Sequence, residues 1–256
     1  MAGAEPVFPD LAGRAVLVTG GASGIGAATL AAFAGQGART AFLDMADDAA
    51  RRTVDAIAGA GHPAPVYRHC DLTDPAAIEE AVAAIADAIG PPTVLVNNAA
   101  NDDRHSPEET DAAAWRARLA VNLDHQFLVS RAVAPGMKAA GGGSIVMMGS
   151  IAWLVGMGDL PAYSTAKAGI QGLTKSLAKA WGPDGIRVGC VMPGAVLTER
   201  QKRLWMTPDY EDTVLGNQSL KRHIMPEEVA RAVLFLASDA ASAITGQALI
   251  VDAGWV

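Results

Sequence analysis

A glycine-rich segment between an apolar strand and a helix constrains this chain most. Residues 14–18 form a short apolar run with β-branched side chains, which is typical of a buried strand. Thr19-Gly-Gly-Ala-Ser-Gly-Ile-Gly26 follows, and then an alanine-rich stretch typical of a helix extends to about Gln36. In this order, glycines let the backbone approach a pyrophosphate, and the helix N-terminus supplies N–H donors and partial positive charge. The segment therefore predicts a nucleotide site, with a merely flexible loop as the alternative.

Strand and helix patterns alternate along the rest of the sequence. Further apolar strands are predicted at residues 38–43, 64–69, 93–96, 143–149, 186–192 and 247–251, and helices at 47–60, 76–89, 112–138, 161–181 and 226–238. This alternation predicts an α/β fold, a Rossmann-like doubly wound parallel sheet of about seven strands with helices on both faces. We expect one domain over residues 1–256. An excursion near residues 195–222 is too long for an ordinary connection and is either a substrate lid or poorly ordered.

Composition excludes several classes of function. Half of the 256 residues are hydrophobic and 18% are charged, which is ample for a buried core. The net charge of −7 argues against a nucleic-acid partner, and without an 18-residue apolar run or a signal sequence we expect a cytoplasmic protein with no membrane partner. Cys70 and Cys190 both fall in predicted strands and are expected to be reduced. No His/Cys cluster has metal-ligand spacing, so no metal is expected.

Two acidic residues follow predicted strands on the nucleotide side. Asp44 lies about twenty residues after the glycines, where a carboxylate accepts hydrogen bonds from an adenosine ribose and repels a 2′-phosphate. Neither Gly21, Ala22 nor Met45 offers a compensating cation, so the sequence favours NAD over NADP; a helix cap is the alternative for Asp44. Asp71 either faces the adenine or caps the next helix.

Asparagines mark the middle of the chain. After the strand at 93–96, Asn97 and Asn98 are expected to pin a turn beneath the cofactor by side-chain to backbone hydrogen bonds. Residues 101–105 (Asn-Asp-Asp-Arg-His) are either a solvated loop or contacts for a polar substrate. Asn122 lies inside the predicted 112–138 helix, where it either bonds back to its own helix or holds a water at a kink.

The segment from Ser150 to Lys167 carries the groups with the clearest chemistry. Tyr163 and Lys167 are four residues apart and, on a helix, project from one face. A tyrosine has a pKa near 10, and a nearby ammonium group is expected to lower it. Ser150 follows the predicted 143–149 strand, and the three groups together suit removal of a proton from an alcohol while hydride leaves its carbon. The alternative is a Tyr and a Lys that only pack, with Ser150 as a helix cap.

These motifs together resemble the short-chain dehydrogenase/reductase family. The resemblance rests on Thr19-Gly-x-x-x-Gly-Ile-Gly26, Asn97-Asn-Ala99, Asn122, Ser150, Tyr163-x-x-x-Lys167 and Pro193-Gly194, in the family's order along nearly the whole chain. It implies Tyr163 as acid/base, Lys167 as the group that lowers its pKa and binds the nicotinamide ribose, Ser150 as orienter of the substrate oxygen, and Asn122 as holder of a relay water. It also implies a homotetramer, and Ala100 departs from the family's usual glycine.

The resemblance also implies a set of cofactor contacts. Thr198 is expected to bond the carboxamide. The full set is Gly20, Ser23, Gly24, Ile25, Gly26, Asp44, Met45, Asp71, Leu72, Asn98, Ala99, Ala100, Tyr163, Lys167, Pro193, Gly194, Val196 and Thr198.

Within the family, residues 98–105, 150–153 and 252–255 look most like those of sugar 1-dehydrogenases acting on pentoses and 6-deoxyhexoses. That implies oxidation of C1 of a cyclic aldose to a lactone. The predicted substrate contacts are Asn101, Asp102, Ser150, Trp153 and Tyr163, with Arg104 and His105 as further polar candidates. Leu154, Met157, Met192 and Met206 equally suit an apolar alcohol. The remaining alternatives are a 3-oxoacyl or general ketone reductase, and a regulatory NAD-binding protein without chemistry.

Overall fold

Seven parallel strands form the centre of the protein. The structure, a computed structural model, describes residues 6–256; residues 1–5, part of the stretch in which we expect no signal sequence, lie outside it. The strands are β1 Ala15–Thr19, β2 Arg39–Asp44, β3 Val66–His69, β4 Val94–Asn97, β5 Gly143–Met148, β6 Ile186–Pro193 and β7 Ala248–Val251. They pair in parallel in the order β3-β2-β1-β4-β5-β6-β7. This is the predicted doubly wound sheet.

Helices follow almost every strand. They are α1 Gly24–Gly35, α2 Asp47–Gly59, α3 Pro75–Ile89, α4 Ala112–Leu119, α5 His125–Ala139, α6 Ala152–Val155, α7 Pro161–Trp181, α8 Glu199–Leu204, α9 Pro208–Asn217 and α10 Pro226–Ala237. Two of them, α8 and α9, lie in the long excursion after β6, so that segment has regular structure.

The core has two layers, one on each face of the sheet. Val16 and Val18 of β1 pack in a buried cluster with Phe33 of α1 and side chains of α10. Leu17 faces the other way, into a second cluster with Ile85 of α3 and side chains of α5 and α7. Because helices cover both faces, the central strands β1 and β4 are buried at every position, whereas the edge strand β3 ends in exposed Arg68 and His69.

The sheet places the functional segments at one edge. Chain order reverses between β1 and β4, which are neighbours in the sheet. In such sheets, the crevice outside the carboxyl ends of the strands at this point is where ligands bind. The glycine-rich turn follows β1, the paired asparagines end β4, and Ser150 follows β5.

The prediction of one continuous helix over residues 112–138 is wrong, because an irregular turn interrupts the helix. Residues Ala120–Asp124 form a π-helical turn between α4 and α5. Asn122 donates from Nδ2 to the Arg118 carbonyl oxygen, at 2.9 Å, and the His125 N–H bonds the Ala120 carbonyl five residues back. A side chain that donates a hydrogen bond to a carbonyl of its own helix disturbs the regular pattern of backbone hydrogen bonds. The back-bonding alternative for Asn122 is confirmed.

Two smaller predictions, on the cysteines and on Asp71, can be compared with the structure. Cys70 was expected in a strand but lies one residue beyond β3, whereas Cys190 is in β6; both are buried and free. Asp71 does not cap the next helix, because Asp74 accepts the N–H groups of Ala76 and Ala77. Among residues 6–256, no helix combines the length and apolarity needed to cross a membrane, and no acidic, His and Cys side chains cluster as metal ligands.

Candidate active site

The glycine-rich turn after β1 is shaped by close backbone contacts. Gly20 and Gly24 have φ values of +69° and +55°, a region that favours glycine. A Cβ on Gly20 would lie 2.7 Å from the Ala99 Cα, and one on Gly26 would lie 2.0 Å from the Gly20 carbonyl oxygen. Asn98 donates from Nδ2 to the carbonyls of Thr19 and Gly20, so it pins the glycine-rich turn after β1 and not the turn after β4 for which it was predicted. The result is a rigid cradle at the N-terminus of α1.

Asp44 lies at the end of β2, beside this cradle. Its Oδ2 accepts the Ala22 N–H at 2.9 Å and its Oδ1 accepts the Ala46 N–H at 3.0 Å. The carboxylate therefore holds the glycine-rich turn and the start of the α2 connection while it lines the cavity. Asp71 also lines the cavity, and hydrogen bonds from the N–H and hydroxyl of Thr73 lower its pKa.

Ser150, Tyr163 and Lys167 meet where β5 ends against α7, and all three line the same cavity. The Lys167 Nζ lies 5.4 Å from the centre of the Tyr163 ring, so the two project from one face of α7 as predicted. Lys167 is 2% exposed and donates to the Met148 carbonyl at 2.8 Å. The Ser150 hydroxyl lowers the pKa of Tyr163 and accepts the Ala152 N–H at 3.1 Å.

The expected lowering of the Tyr163 pKa is wrong for the protein without a cofactor. Burial, reinforced by the Asp102 carboxylate, raises the pKa of Tyr163 to about 12, against the lowering effects of Ser150 and Arg104. Burial also lowers the pKa of Lys167, to about 8, which weakens it as a cation. Burial is therefore the largest cause of both pKa shifts.

Asn122 holds the loop that leads into the cavity. Its side chain is fully buried; Oδ1 accepts the Asn101 N–H at 2.8 Å and Nδ2 donates to the Asn101 carbonyl at 3.0 Å. The neighbouring His125 is also buried, and its Nε2 bonds the Ala99 carbonyl at 2.9 Å. Burial first, and then the Lys167 cation, lower the pKa of His125 to about 3. The middle of the site is thus fixed by side chains from the π-helical turn and α5.

The segment after β6 closes the side of the cavity that carries the glycine-rich turn. Gly194 packs tightly, since a Cβ there would lie 2.9 Å from the Asp252 Cα. Val196 forms an isolated parallel bridge with Ile224. The Thr198 hydroxyl caps α8 by accepting the Gln201 N–H at 3.1 Å, and its methyl group faces Gly24 across the glycine-rich turn.

Two segments form the polar end of the site: residues 101–105, here called the polar loop, and residues 199–217, the lid segment. Arg200 pairs with Asp102, at 3.1 Å, and with Asp103, while Gln201 donates to Asp102 at 2.7 Å. The Arg104 guanidinium lies 4.8 Å from the centre of the Trp205 ring. The lid segment is therefore ordered and joined to the polar loop in this structure.

The cavity between these parts has a volume of about 530 Å³. Of the predicted cofactor contacts, all but Gly26 line it; Gly26 shapes the cradle from behind. A rigid glycine cradle at a helix N-terminus, with a carboxylate at the end of the next strand, fits the pyrophosphate and ribose of a dinucleotide. The residues that would hold it are therefore those of the cradle, the turns after β2 and β4, and the segment 193–198.

The structure does not bring every predicted substrate residue to the cavity. Asn101, Asp102, Ser150 and Tyr163 line it, but Trp153 is not among the described lining residues and packs against the core layer of α3, α5 and α7. Trp255, Tyr210, Arg200 and Gln201 line the cavity, and sequence reasoning gave none of them a substrate role. The tryptophan in Asp252-Ala-Gly-Trp255 was visible as a motif, yet nothing local shows that the last strand delivers it to the site.

His105, a candidate sugar contact from sequence, also lies outside the lining. It is 7% exposed, and both ring nitrogens have backbone partners, the Asp103 carbonyl and the Ala162 N–H. The polar loop therefore turns Asn101, Asp102 and Arg104 toward the cavity and His105 away from it.

A dinucleotide cradle that opens beside a serine, a tyrosine and a lysine defines a nucleotide-dependent oxidoreductase. A sequence model described as enoyl-(acyl carrier protein) reductase matches residues 20–256. D-xylose 1-dehydrogenase of Caulobacter vibrioides (strain NA1000 / CB15N) is 50% identical over 249 residues, covering 97% of this chain and 98% of the relative. A Rhizobium meliloti (strain 1021) protein named "Probable galactose dehydrogenase GalD" is 49% identical, covering 96% of both chains.

Comparison with solved structures points to the same class of protein. A crystal structure from Sinorhizobium meliloti 1021, provisionally described as a short-chain alcohol dehydrogenase, superposes with a TM-score of 0.92 at 30% identity, covering 97% of this chain and 98% of the other. The chain belongs to the short-chain dehydrogenase/reductase family and is an oxidoreductase that uses a nicotinamide cofactor and a small-molecule substrate.

Proposed function

We propose that this protein oxidises the C1 hydroxyl of a cyclic aldose, a pentose or 6-deoxyhexose, to a lactone, with NAD⁺ as hydride acceptor. The observation that carries the proposal is the convergence of Ser150, Tyr163 and Lys167 on a cavity with a dinucleotide cradle at one end and a polar loop at the other. The C1–H bond breaks with its electron pair going to NAD⁺, and the O–H proton goes to the protein. The products are the lactone, NADH and a proton.

The protein's part is to hold the alcohol and take its proton. Ser150 and Tyr163 both line the cavity, so both can bond the C1 oxygen of a sugar. Tyr163 accepts the proton as a phenolate. Lys167 contributes positive charge from its buried position next to the Tyr163 ring. NAD⁺ would be held by the glycine-rich turn, Asp44 and residues 193–198, and would supply the hydride acceptor.

NAD is proposed over NADP because of Asp44. Its carboxylate lines the cavity at the end of β2, where a ribose 2′-phosphate would meet negative charge. The cationic residues among the described cavity lining are Arg104, Lys167 and Arg200, and these belong to other segments of the site. Replacement of Asp44 by Ser is expected to lower the preference for NAD⁺ over NADP⁺ at least tenfold, measured as the ratio of kcat/KM values. Asp48→Ser is the matched control, since Asp48 is exposed and pairs with Arg51.

A sugar is proposed over an apolar alcohol because of the polar end of the cavity. Asn101, Asp102, Gln201 and Tyr210 present carboxylate, amide and hydroxyl groups, and Trp255 presents an aromatic ring. Ring hydroxyls of a sugar need such planar polar partners. Two relatives at about 50% identity carry the names of sugar dehydrogenases, which supports the same choice.

A substrate panel tests the proposal. D-xylose, L-arabinose, L-fucose and D-galactose are each incubated with NAD⁺ or NADP⁺, and the absorbance of the reduced cofactor is followed. We expect turnover with at least one aldose, faster with NAD⁺, and a lactone that hydroxylamine traps as its hydroxamate. Failure of every aldose, or a product that hydroxylamine does not trap, would contradict the proposed reaction.

The apolar part of the lining favours a second candidate, oxidation of a simple alcohol or reduction of a ketone. Val155, Met157 and Leu160 line the cavity, although Met192 is buried in the core and Leu154 is not among the described lining residues. Cyclohexanol with NAD⁺ and an acetoacetyl thioester with NADPH extend the panel to this candidate. Faster turnover with either than with every aldose would favour it.

We further propose a homotetramer in the cytoplasm. β7 ends the sheet and leaves Leu249 and Ile250 more than one third exposed, an apolar edge suited to another subunit. Reduced, buried Cys70 and Cys190 suit a compartment that keeps thiols reduced. Light scattering during size-exclusion chromatography is expected to give four times the subunit mass, and a monomer mass would exclude this assembly.

A further inference from the structure

The helix that carries Tyr163 and Lys167 begins without a cap of its own. Leu160 is the N-cap residue of α7, and it has no side chain that accepts a hydrogen bond. Pro161 follows at the first helical position and has no N–H. The first N–H that requires a partner is therefore that of Ala162, the residue directly before Tyr163.

His105 supplies that partner from the polar loop, 57 residues earlier. Its Nε2 accepts the Ala162 N–H at 3.1 Å, and its Nδ1 lies 2.9 Å from the Asp103 carbonyl oxygen. A backbone N–H can only donate and a carbonyl can only accept, so the ring is the neutral tautomer with the proton on Nδ1. The backbone N–H of His105 also donates to the Asp159 carbonyl at 2.9 Å, which ties the polar loop to the chain just before α7.

We propose that His105 is a positioning residue for the reaction. Its neutral imidazole caps α7 and fixes the backbone next to Tyr163, so that the phenol oxygen keeps its place beside Ser150. This inference rests on the proposed function only in taking Tyr163 as the acid/base.

The contact has a functional consequence because small displacements of reacting groups are costly. A misplacement of about 1 Å can cost on the order of 100-fold in rate. The same loop carries Asn101 and Asp102, which line the cavity, and Asn122 holds Asn101 from the other side. His105 thus connects the substrate end of the site to the helix that performs the proton transfer.

Two variants that differ by one methylene separate this role from general packing. In His105→Asn the amide reaches the position of Nδ1, so it keeps a donor for the Asp103 carbonyl but cannot reach Ala162. In His105→Gln the amide oxygen reaches the position of Nε2 and restores an acceptor for the Ala162 N–H. Both are polar replacements at the same buried site.

Hydrogen exchange of the segment 161–167, followed by mass spectrometry, tests the cap without any substrate. Steady-state kinetics with NAD⁺ and the panel aldose that the wild type oxidises fastest test its effect. For His105→Asn we expect faster exchange in the segment, a 10- to 100-fold lower kcat and an unchanged KM for NAD⁺. For His105→Gln we expect exchange close to wild type and recovery of most of kcat.

Equal exchange and equal kcat in the two variants would overturn the inference, as would a loss of kcat matched by the loss of folded protein in thermal melts. Tyr163→Phe in the same assays separates the two proposals. If Tyr163→Phe retains turnover, the proposed function fails. If it abolishes turnover while His105→Asn matches wild type, only the role of His105 fails.

Discussion

At the scale of single residues, the proposed chemistry depends on the charges around Tyr163. Burial and the Asp102 carboxylate hold its pKa at about 12, so at neutral pH the phenol keeps its proton. Ser150 and Arg104 act in the opposite direction, toward the phenolate. Asp102 therefore lines the cavity and also opposes deprotonation of Tyr163.

Asp102→Asn is expected to shift the pH dependence of oxidation toward lower pH. Loss of the negative charge lowers the Tyr163 pKa, and a base that deprotonates more easily reaches its active form at lower pH. The measurement is kcat/KM for the aldose between pH 6 and 10. Asp103→Asn is the matched control, because Asp103 also pairs with Arg200 but does not contribute to the Tyr163 shift. A shift to higher pH, or the same shift in both variants, would be evidence against this role.

Part of this arrangement around Tyr163 could be predicted from the sequence. The spacing of Tyr163 and Lys167 predicted a shared helix face, and the structure confirms it, because local spacing determines which side chains are neighbours on a helix. The direction of the pKa shift was not predictable in the same way. It depends on how deeply the two groups are buried and on Asp102, which is 61 positions away in sequence and reaches the site only in the folded protein.

At the scale of elements, the lid segment is held by contacts of modest strength. The Arg200 side chain is 43% exposed, and exposed ion pairs contribute at most about 1 kcal/mol each. The contact between Arg104 and Trp205 adds an amount of the same order. The contacts that join the lid segment to the polar loop are therefore individually weak.

Arg200→Ala is accordingly expected to raise the KM of the aldose by no more than about fivefold, with kcat close to wild type. Steady-state kinetics at saturating NAD⁺ measure both. Arg203→Ala, an exposed arginine on the same helix, is the control and should leave both constants unchanged. Equal effects of the two variants would show that the pairs of Arg200 do not hold the lid segment over the substrate.

The interruption of the predicted 112–138 helix shows why element boundaries are hard to predict here. Asn122 was recognised as unusual for a helix interior, but its second partner, the backbone of Asn101, belongs to the polar loop. Only the folded chain brings that loop beside α4 and α5. The helical pattern on both sides was clear, and the π-helical turn between them arises from a tertiary contact.

At the scale of the whole molecule, the strand alternation was sufficient to predict the sheet. Apolar runs that alternate with helices are typical of a parallel sheet covered by helices on both faces, and the doubly wound sheet is one such arrangement. Which tryptophan reaches the cavity was not predictable, since Trp153 and Trp255 occur in similar small-residue contexts. The packing of α6 and of the chain after β7 decides this, and both depend on the completed fold.

Folding also buries a histidine that stays neutral, with consequences for acid stability. The pKa of His125 falls from its ordinary 6.5 to about 3 in the folded protein. Between these values the unfolded chain binds a proton that the folded chain does not, so the free energy of unfolding falls as pH is lowered through 6.5. The slope is about 1.4 kcal/mol per pH unit for one such group.

His125→Gln removes this titration while keeping an amide donor for the Ala99 carbonyl. Urea unfolding at pH 7, 6 and 5 is expected to show a shallower loss of stability than in wild type. His62→Gln is the control, because His62 is exposed. If the dependence of stability on pH is unchanged in His125→Gln, or changes equally in His62→Gln, the buried imidazole does not cause the loss of stability at acidic pH.

Replacement of Tyr163 by Phe tests its role as the acid/base, with turnover of the best aldose and calorimetric binding of NAD⁺ measured on the same preparation. We expect turnover to fall about 10³-fold, the size of a lost acid/base group, with the affinity for NAD⁺ largely kept. Turnover close to that of the wild-type protein would contradict it.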